Sequence, residues 1–279
     1  MKILAIGDFH GKFPGKLKRI AQSKEIDLIL CTGDFADADK IRKLIFKNWT
    51  DKPWYEQIGI KKAKQIEKES FDSGLNVLNE LNKLNKKVYV VFGNSDFYRE
   101  RGSTSDDPLI PGFYEDKIRK LKNIILVDNK KLSTRDFDIL GFGGYVDCTE
   151  YIKNPIDGDK EEQIMRLERY LYDQLKLKKL FLKKGKSKEI IFLAHYPPYG
   201  VMDKVSFIKN SPMYGKHVGW EPYNEVIRKH KPKLVLCGHM HEYQGKKKLG
   251  KSLVVNPGAA FEGKAAVIEW PGLRVKFLR

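Results

Sequence analysis

Short apolar runs, most of them rich in β-branched residues, recur along the whole chain. Runs of about four to eight such residues, bounded by glycine, asparagine or charged residues, are typical of buried β-strands. Ten runs therefore predict strands: KILAIG, DLILCTG, KVYVVFG, NIILVD, DILGFGG, EIIFLAH, KLVLCGH, SLVVNPG, AAVIEW and LRVKFL. The last three have no helical pattern between them, so we expect them to form a meander.

Amphipathic helical patterns separate the early strands. Residues 59–86 place apolar side chains such as Ile66, Phe71 and Leu78 at helical spacings among lysines and glutamates, which predicts an amphipathic helix. Residues 160–183 show a second long pattern of this kind. Strands that alternate with helices and read as unbroken apolar runs are typical of largely parallel sheets covered on both faces. The pattern therefore predicts an α/β fold.

The domain organisation follows from length and from the absence of linker-like sequence. A chain of 279 residues buries a large core without the help of a cofactor. Since no linker, repeat or low-complexity tract is found, we expect a single domain over residues 1–279, with a helical insertion at 36–75 and a loop at 98–115 as candidate lids. The basic stretch at 174–188 is interpreted as the solvated face and exit turn of a helix, with a nucleic-acid contact as the alternative.

Composition narrows the class of protein. With 41% hydrophobic and 32% charged residues, and no apolar run long enough to cross a bilayer, we expect a soluble globular protein without a membrane partner. An early glycine and aspartate interrupt the N-terminal apolar stretch too soon for a signal peptide. Cys31, Cys148 and Cys237 lack CxxC spacing, and two of them lie within apolar runs, as is typical of free thiols in a reducing cytoplasm. A cytoplasmic location is therefore expected.

The chain is strongly basic. Its 53 Lys and Arg against 36 Asp and Glu give a formal net charge of +17. Such an excess attracts nucleic acid, an anionic membrane surface or a phosphorylated small substrate, and does not distinguish among them. Heavy lysine use is also a trait of thermophile proteins, in which part of the charge serves stability.

Metal-capable side chains stand where the apolar runs end. They are Asp8 and His10, Asp34, Asn94, His195, and His239 and His241. In open α/β sheets the carboxyl ends of the strands form the crevice where ligands bind, so these five distant segments are expected to meet. We interpret Asp8 with His10, and His239 with His241, as extended pairs whose alternate side chains point the same way.

Each of these residues has a plain structural explanation when it is taken alone. His195 is then an ordinary polar residue, and Asp34 is a turn or N-cap residue. The chain has only six histidines, however, and four of them follow apolar runs directly, together with two Asp and one Asn. This coincidence favours a metal centre. The other two, His217 and His230, are assigned by default to a loop and to a helix surface.

Five motifs in this order resemble the blocks of the calcineurin-like metallophosphoesterase superfamily. They are GDFHG (7–11), GDF (33–35), GNSD (93–96), AHYPP (194–198) and GHMH (238–241). The resemblance spans residue 1 to about residue 260 and implies a four-layer αββα sandwich of two mixed β-sheets flanked by helices. It also implies a dinuclear metal site at the C-terminal ends of the strands. Matching the motifs assigns one metal to Asp8, His10, Asp34 and His241, and the other to Asp34, Asn94, His195 and His239, with Asp34 as the bridge.

The resemblance implies hydrolysis of a phosphoric ester. Two adjacent divalent ions bind phosphate oxygens and lower the pKa of a bridging water, so that hydroxide forms near neutral pH and attacks phosphorus. Histidine and carboxylate ligands suit Mn, Fe, Zn, Ni or Co. As a neutral oxygen ligand, Asn94 leaves the metals more positive charge for the phosphoryl group than a carboxylate does.

Ser95 departs from the family pattern. Many members carry a histidine here, which is thought to stabilise the phosphate and to help protonate the leaving oxygen, paired with the aspartate that matches Asp96. Serine is not a comparable acid. His217, in the loop YGKHVGW, is the candidate replacement, and an exposed loop histidine is the alternative. The catalytic set predicted from the motifs is Asn94, Asp96, His195 and His217.

The segment from His195 to Gly245 is similar to a branch of predicted phosphoesterases related to bacterial cyclic-nucleotide phosphodiesterases. Tyr196, Tyr199, Tyr214 and Trp220 in it are candidates for an aromatic wall against a nucleobase, with structural loop packing as the alternative. We therefore expect a metal-dependent phosphodiesterase that acts on a nucleotide-like or other small phosphodiester. The alternatives are a nuclease that binds nucleic acid and a non-catalytic metal-binding scaffold.

Overall fold

The computed structural model describes residues 1–47, 53–99, 109–182, 188–206, 209, 211 and 213–279. The strands in these ranges are β1 Lys2–Ile6, β2 Leu28–Cys31, β3 Val88–Val90, β4 Ile124–Leu126, β5 Lys130–Ser133, β6 Asp138–Phe142, β7 Ile190–Ala194, β8 Leu234–Leu236, β9 Gly245–Leu249, β10 Ser252–Asn256, β11 Ala265–Glu269 and β12 Arg274–Leu278. The α-helices are α1 Gly15–Gln22, α2 Asp39–Lys47, α3 Trp54–Ile58, α4 Ile60–Asn82, α5 Tyr114–Ile118, α6 Thr149–Lys153, α7 Lys160–Leu182 and α8 Glu221–His230.

The strands form two six-stranded sheets, and both sheets are mixed. The first has the order β12-β11-β1-β2-β3-β4, in which β1 to β4 are parallel and β11 and β12 are antiparallel to their neighbours. The second has the order β5-β6-β7-β8-β10-β9, in which the four central strands are parallel and the two edge strands are antiparallel. The predicted α/β fold with two mixed sheets is confirmed.

The alternation of side chains along each strand explains how the sheets and helices pack into layers. Successive side chains of a strand point to opposite faces of its sheet, so on β1 Leu4 and Ile6 pack under α1, α4 and α5, whereas Ile3 and Ala5 face the second sheet. On the far side of the second sheet, α7 and α8 cover a third cluster around Phe192. The chain is therefore a sandwich of helices, sheet, sheet and helices, with apolar contacts at all three junctions.

The predicted meander is wrong. The run SLVVNPG forms β10, which lies in the second sheet between β8 and β9, whereas β11 and β12 belong to the first sheet. The chain crosses from one sheet to the other between Asn256 and Ala265. Local sequence does not decide sheet membership, because that depends on pairing with distant strands.

Two strands escaped the sequence analysis, and both are edges of the second sheet. These strands, β5 (KKLS) and β9 (GKKKL), are rich in lysine and contain no apolar run. An edge strand has a neighbouring strand on one side only, and its other side faces solvent. Lysine on such a strand discourages pairing with the strands of other chains. The lysines therefore hide these strands from a search for hydrophobic runs.

The two long helices are confirmed. The pattern at 59–86 becomes α4, and the pattern at 160–183 becomes α7. The described part of the predicted insertion 36–75 contains α2, α3 and about the first two thirds of α4. Residues 48–52 of that insertion, 100–108 of the predicted loop 98–115 and 183–187 of the basic stretch 174–188 lie outside the described residues. Among the described residues, no helix combines the length and the apolar composition that a membrane crossing requires.

Gly74 offers a test of the packing of α4 against α5 and the loop that follows β2. Alanine in the middle of a helix is ordinarily more stable than glycine by about 0.5–1 kcal/mol. At Gly74, however, a Cβ would lie 2.1 Å from Tyr114 Oη and 2.9 Å from the backbone nitrogen of Ala36. Tyr114 is fully buried, and its hydroxyl donates to the carbonyl of Phe71. We predict that Gly74→Ala lowers the free energy of unfolding by roughly 1–3 kcal/mol, as measured by urea denaturation.

The matched control is Gly15→Ala at the start of α1, where an added Cβ meets nothing within 4 Å. This variant is expected to be neutral or slightly more stable. An increase in stability for Gly74→Ala as well would show that α4 does not pack as described.

Candidate metal centre

All seven side chains predicted from the strand ends meet in one cluster. They are Asp8, His10, Asp34, Asn94, His195, His239 and His241. Asp8 and His10 follow β1, while Asp34 and Asn94 follow its parallel neighbours β2 and β3. The other three follow β7 and β8, which are neighbours in the second sheet. The cluster therefore lies where the carboxyl ends of the two sheets meet.

Four of these residues form one compact half of the cluster. Ligand atoms of Asp8, His10, Asp34 and His241 all lie within 4.8 Å of one another. The Nε2 atoms of His10 and His241 are 2.9 Å apart. His10 Nε2 lies 3.6 Å from Asp34 Oδ2, and His241 Nε2 lies 3.6 Å from Asp8 Oδ1. Ligands of a single ion at about 2.0–2.2 Å are themselves roughly 3–3.5 Å apart. The spacing fits a divalent metal ion.

The second half lies on the other side of Asp34. Asn94 Oδ1 is 2.9 Å from His195 Nε2 and 2.7 Å from His239 Nδ1. His195 Nε2 is also 3.6 Å from Asp34 Oδ2, the same oxygen that faces His10. The other oxygen of Asp34 accepts the N–H of Ser95 at 2.8 Å. Asp34 Oδ2 thus faces both halves of the cluster.

Burial prepares the histidines as ligands. Desolvation lowers the pKa of His10, and desolvation together with the charge of His195 lowers the pKa of His239 to about 3. Burial also acts to lower the pKa of His241, but the hydrogen bond and the charge of Asp8 outweigh it, so this pKa is raised. Metals bind the neutral imidazole. His10 and His239 are therefore ready to bind at neutral pH, whereas protons compete with a metal more strongly at His241.

The carboxylates are ionised and one of them lacks a partner. Burial acts to raise the pKa of Asp8 and of Asp34, but the neighbouring histidines outweigh it and hold both pKa values below the ordinary range. Asp8 Oδ2 is nevertheless a buried oxygen without a hydrogen-bond partner among the described residues. A charged, buried oxygen without a hydrogen-bond partner destabilises the folded protein. A cation at this position removes that destabilisation, so the residues present fit a bound metal.

Backbone turns aim the ligands. Asp8, His10, Asp34 and His239 have positive φ values of 54°, 43°, 57° and 66°. Left-handed backbone is uncommon outside glycine and clusters at functional sites. The interpretation of Asp8/His10 and His239/His241 as extended pairs is therefore wrong, because a turn that follows each strand, rather than the pleat of the strand, directs the side chains.

Glycines next to the ligands were missed by the sequence analysis. At four strand ends a glycine directly precedes a ligand: Gly7, Gly33, Gly93 and Gly238. A Cβ at Gly33 would lie 2.4 Å from the backbone nitrogen of Gly93, and a Cβ at Gly93 would lie 2.1 Å from Asp34 Oδ1. Only glycine permits these approaches. The repeated glycine–ligand dipeptide is the signal that predicts them.

Hydrogen bonds between the sheets orient two ligands. The Nδ1 atom of His195 lies 2.7 Å from the carbonyl oxygen of Thr32, which makes Nδ1–H the donor and leaves the Nε2 lone pair for the cluster. The backbone N–H of His239 donates to Asp8 Oδ1 at 2.9 Å. Thr32 contributes through its backbone, so its side chain gives no signal in the sequence.

A cavity of about 560 Å³ opens beside Asn94 and His239. Tyr196 lines it and stacks on His239, with ring centroids 4.0 Å apart. Tyr145 and Tyr151 also line it, and neither was predicted, because no motif marks them.

The other three predicted aromatic residues do not line this cavity. Trp220 is fully buried and stacks on Phe142, whereas Tyr214 is exposed. The Tyr199 hydroxyl donates to Glu150. The interpretation as loop packing is therefore confirmed for Trp220, and of the four residues Tyr196 alone belongs to the cavity wall within the described part of the chain.

Comparison with known proteins identifies the family. Residues 1–279 match the family described as metallophosphoesterase, calcineurin superfamily. The chain belongs to this superfamily. The sequence resemblance is therefore confirmed, and membership together with the Asp and His cluster supports a metal-dependent phosphoesterase that uses divalent ions.

Individual relatives of this metallophosphoesterase are distant. A protein of Methanocaldococcus jannaschii described as uncharacterized is 24% identical over 263 residues, which covers 92% of this chain and 88% of that protein. The phosphopantetheinyl hydrolase of Mycobacterium tuberculosis is 13% identical, with coverage of 94% and 90% and a TM-score of 0.54. A dimetal phosphatase of Danio rerio is 12% identical, with coverage of 100% and 96% and a TM-score of 0.54. At these identities the two structures show a shared fold.

Asp96 of this metallophosphoesterase is buried beneath the cluster. Its Oδ2 atom accepts the backbone N–H groups of Asp34 and Gly93, and its Oδ1 atom accepts those of Phe35 and Ala36, at distances of 2.7–3.1 Å. Burial and the charge of Asp34 raise the pKa of Asp96, whereas the four N–H bonds favour the ionised carboxylate, whose oxygens only accept. Asp96 thus fixes the turns after β2 and β3 to each other. Its part in proton transfer stays a prediction.

His217 is held at a distance from the ligand set. Its Nδ1 atom is 2.7 Å from Oδ1 of the buried Asp203, and its ring lies 5.3 Å from that of Tyr199. The next residue, Val218, lines the cavity, but His217 is not among the described residues of its wall. None of its described contacts is with a ligand residue.

Replacement of Asp96 tests its role as the joint between the two turns. In Asp96→Asn one oxygen becomes an amide nitrogen, so two buried N–H groups lose their acceptor. We expect the free energy of unfolding to fall by about 2–4 kcal/mol in urea denaturation. We also expect weaker Mn²⁺ binding in calorimetry, because the position of Asp34 depends on these bonds.

Asp37→Asn is the matched control, since Asp37 accepts an exposed N–H, that of Asp39, in the same loop. Its unfolding free energy is expected to change by less than about 0.5 kcal/mol. Wild-type stability and metal affinity in Asp96→Asn would contradict the assigned role.

Proposed function

We propose that this metallophosphoesterase is a phosphodiesterase that hydrolyses a nucleotide-like or another small phosphodiester. The observation that carries the proposal is the cavity of about 560 Å³ that opens at Asn94 and His239. Its wall is mainly apolar and aromatic, and Arg42 is the only lysine or arginine among its described residues. Cavities of this size and character hold an organic group the size of a nucleoside.

The charge of the wall favours a diester over a monoester. A phosphomonoester carries a charge near −2 at neutral pH and has one organic group, whereas a diester carries one negative charge and has two organic groups. Ser95 adds no charge where many relatives have histidine, so Arg42 supplies the positive side chain of the wall. The charge of Arg42 adds to the lowering of the pKa of His10 and opposes the raising of the pKa of His241, in both cases as a minor cause, so its guanidinium acts on the cluster.

We further propose that the cluster binds two divalent ions, from among Mn, Fe, Zn, Ni and Co. One set of ligands is Asp8, His10, Asp34 and His241, and the other is Asp34, Asn94, His195 and His239. Mixed imidazole and oxygen donors suit these metals. When bound, such ions polarise phosphoryl oxygens and lower the pKa of a bound water. The Thr32 carbonyl and the Ser95 N–H keep His195 and Asp34 oriented.

The leaving group receives little help from a protein acid in this proposal. Serine at position 95 does not titrate near neutral pH, and Asp96 uses both carboxylate oxygens to accept N–H bonds. His217 is turned to Asp203 through Nδ1. Substrates whose leaving oxygen is a weak base therefore suit this site best.

A nuclease remains the second candidate, because of one further cavity. It has a volume of about 790 Å³, and Lys12, Lys18 and Lys83 are in its wall. Phe261 belongs to this wall, and its ring lies 5.4 Å from the rings of both His10 and His241. Together with the net charge of +17, this basic cavity beside the cluster suits the phosphates of a nucleic acid.

The first test compares two esters that share a chromophore. With Mn²⁺ we expect kcat/KM for bis(p-nitrophenyl) phosphate to exceed that for p-nitrophenyl phosphate by at least about tenfold, a difference of roughly 1.4 kcal/mol in the barrier. His217→Ala is expected to change the diesterase rate by less than about twofold, since a nitrophenolate needs little protonation. A faster monoester would contradict the proposal.

The same assay separates the alternatives. Cleavage of a single-stranded oligonucleotide that weakens steeply with salt would favour the nuclease. A large loss in His217→Ala on an alkyl diester, but not on the nitrophenyl diester, would make His217 the proton donor. Metal binding without hydrolysis of any of these esters would favour the scaffold.

The second test counts the metals. We expect about two divalent ions per chain in the wild type, and one in His241→Ala and in His239→Ala, by elemental analysis after dialysis. Each variant should lose more activity than the roughly 10–100-fold that loss of an outer-shell partner costs. His230→Ala is the control, because His230 lies on α8 beside Phe181. A wild type that binds one ion would refute the two-metal proposal.

A further inference from the structure

Helix α7 is apolar on two opposite faces. Its inner face buries Leu177, Leu180 and Phe181 in the core under the second sheet. Its outer face carries a stripe of side chains that are 43–74% exposed: Ile164, Leu167, Leu171, Leu175 and Leu182. We call these five residues the outer stripe. A solvent-facing helix ordinarily has polar residues opposite its core face, so the attachment of α7 to the core does not account for the outer stripe.

The outer stripe is narrow, and the one polar residue between Ile164 and Leu182 that falls within it is Lys178, which pairs with Glu225. At about 100° per residue its five members fall within a sector of roughly 80°, and at 1.5 Å per residue they extend over about 27 Å. A long apolar patch of this kind on a soluble protein marks a contact surface. Met165 is 54% exposed as well, but it lies about 100° from the first residue of the stripe and outside this sector.

We propose that the outer stripe is the contact between two copies of this chain, whose α7 helices pair antiparallel about a two-fold axis. The stripe is complementary to itself in this arrangement. With the axis at the level of residue 173, Ile164 of one copy faces Leu182 of the other, and Leu171 faces Leu175. An isologous contact requires this property, since the same surface serves both partners.

Charge selects the antiparallel direction. Glu168 and Lys179 lie on the same flank of the stripe, and the same axis brings each beside the other residue of the partner copy, so that two ion pairs form. A parallel pair would instead place the two copies of this flank on opposite sides of the contact and leave Glu168 and Lys179 about 16 Å apart along it, so these ion pairs would not form. Both side chains are exposed, and neither has an ion-pair partner among the described residues. Complementary flanking charges set direction in helix pairs of this type.

A cavity lies at each end of the outer stripe. One of about 220 Å³ has Ile164 and Leu167 in its wall, and one of about 310 Å³, between α7 and α8, has Leu182 and Val226 in its wall. The two-fold axis brings the cavity at one end of the stripe opposite the cavity at the other end of the partner's stripe. Each end of the contact therefore has room for a side chain of the other copy.

The oligomeric state of the full chain tests the proposal. In sedimentation equilibrium from about 1 to 100 µM, we expect a monomer–dimer equilibrium with a dissociation constant in the micromolar range, since a contact of this length is small. Leu175→Glu is expected to leave a monomer throughout this range. Met165→Glu is the matched control, with similar exposure off the stripe, and is expected to dimerise as the wild type does.

A charge exchange tests the direction. Glu168→Lys alone and Lys179→Glu alone are expected to weaken the dimer roughly tenfold each, because each creates two like-charge contacts. The double variant is expected to dimerise within about twofold of the wild type. Thermal unfolding confirms that each variant is folded, which is expected because all these side chains are exposed.

Three outcomes would overturn the proposal. A wild type that is monomeric at 100 µM excludes the dimer, whatever else the stripe binds. A dimer that survives Leu175→Glu uses another surface. A double variant as weak as the single ones excludes the antiparallel register. None of these outcomes bears on the proposed phosphodiesterase activity, so failure of one proposal leaves the other standing.

Discussion

The metal centre depends on the close approach of the turns that follow β2 and β3. Glycine at position 33 lets the backbone of one turn come so near the other that a Cβ would lie 2.4 Å from the nitrogen of Gly93. Asp96 fixes this approach by accepting N–H bonds from both turns. The approach brings the Ser95 N–H to Asp34 Oδ1, so Asp34 Oδ2 is left for the cluster. Backbone geometry, rather than free side-chain rotation, therefore places the central ligand.

The cluster also joins the two sheets. His195 and His239 follow strands of the second sheet, yet one bonds to the Thr32 carbonyl and the other to Asp8, both after strands of the first sheet. Burial keeps His10 and His239 neutral, whereas His241 beside Asp8 and His195 beside Asp34 keep these carboxylates ionised against the effect of burial. This is the state that divalent ions require. Among the described residues, Asp8 Oδ2 has no hydrogen-bond partner. Metal binding is thus expected to stabilise the junction of the sheets.

The sequence was sufficient to predict which seven side chains meet, because these residues follow strong local signals. An apolar run that ends in glycine and a metal-capable residue marks a buried strand and its carboxyl end, and the family motifs fix the assignment to one superfamily. Features that depend on distant contacts were not predicted. The lysine-rich edge strand β9, the membership of β10 in the second sheet and the left-handed backbone of Asp8 all arise from such contacts.

The proposed substrate cavity is also a feature that depends on distant contacts and was not predicted from the sequence. The cavity wall combines Arg42 from α2 with Tyr145 and Tyr151 from the segment around α6, and none of these lies in a family motif. Motif residues at strand ends supply the candidate metal ligands, whereas segments outside the motifs shape the space beside them. If the cavity holds the substrate as proposed, a change in α2 alters the ester that binds without moving a candidate ligand. For the same reason, motif identity predicts the chemistry of this metallophosphoesterase better than it predicts the substrate.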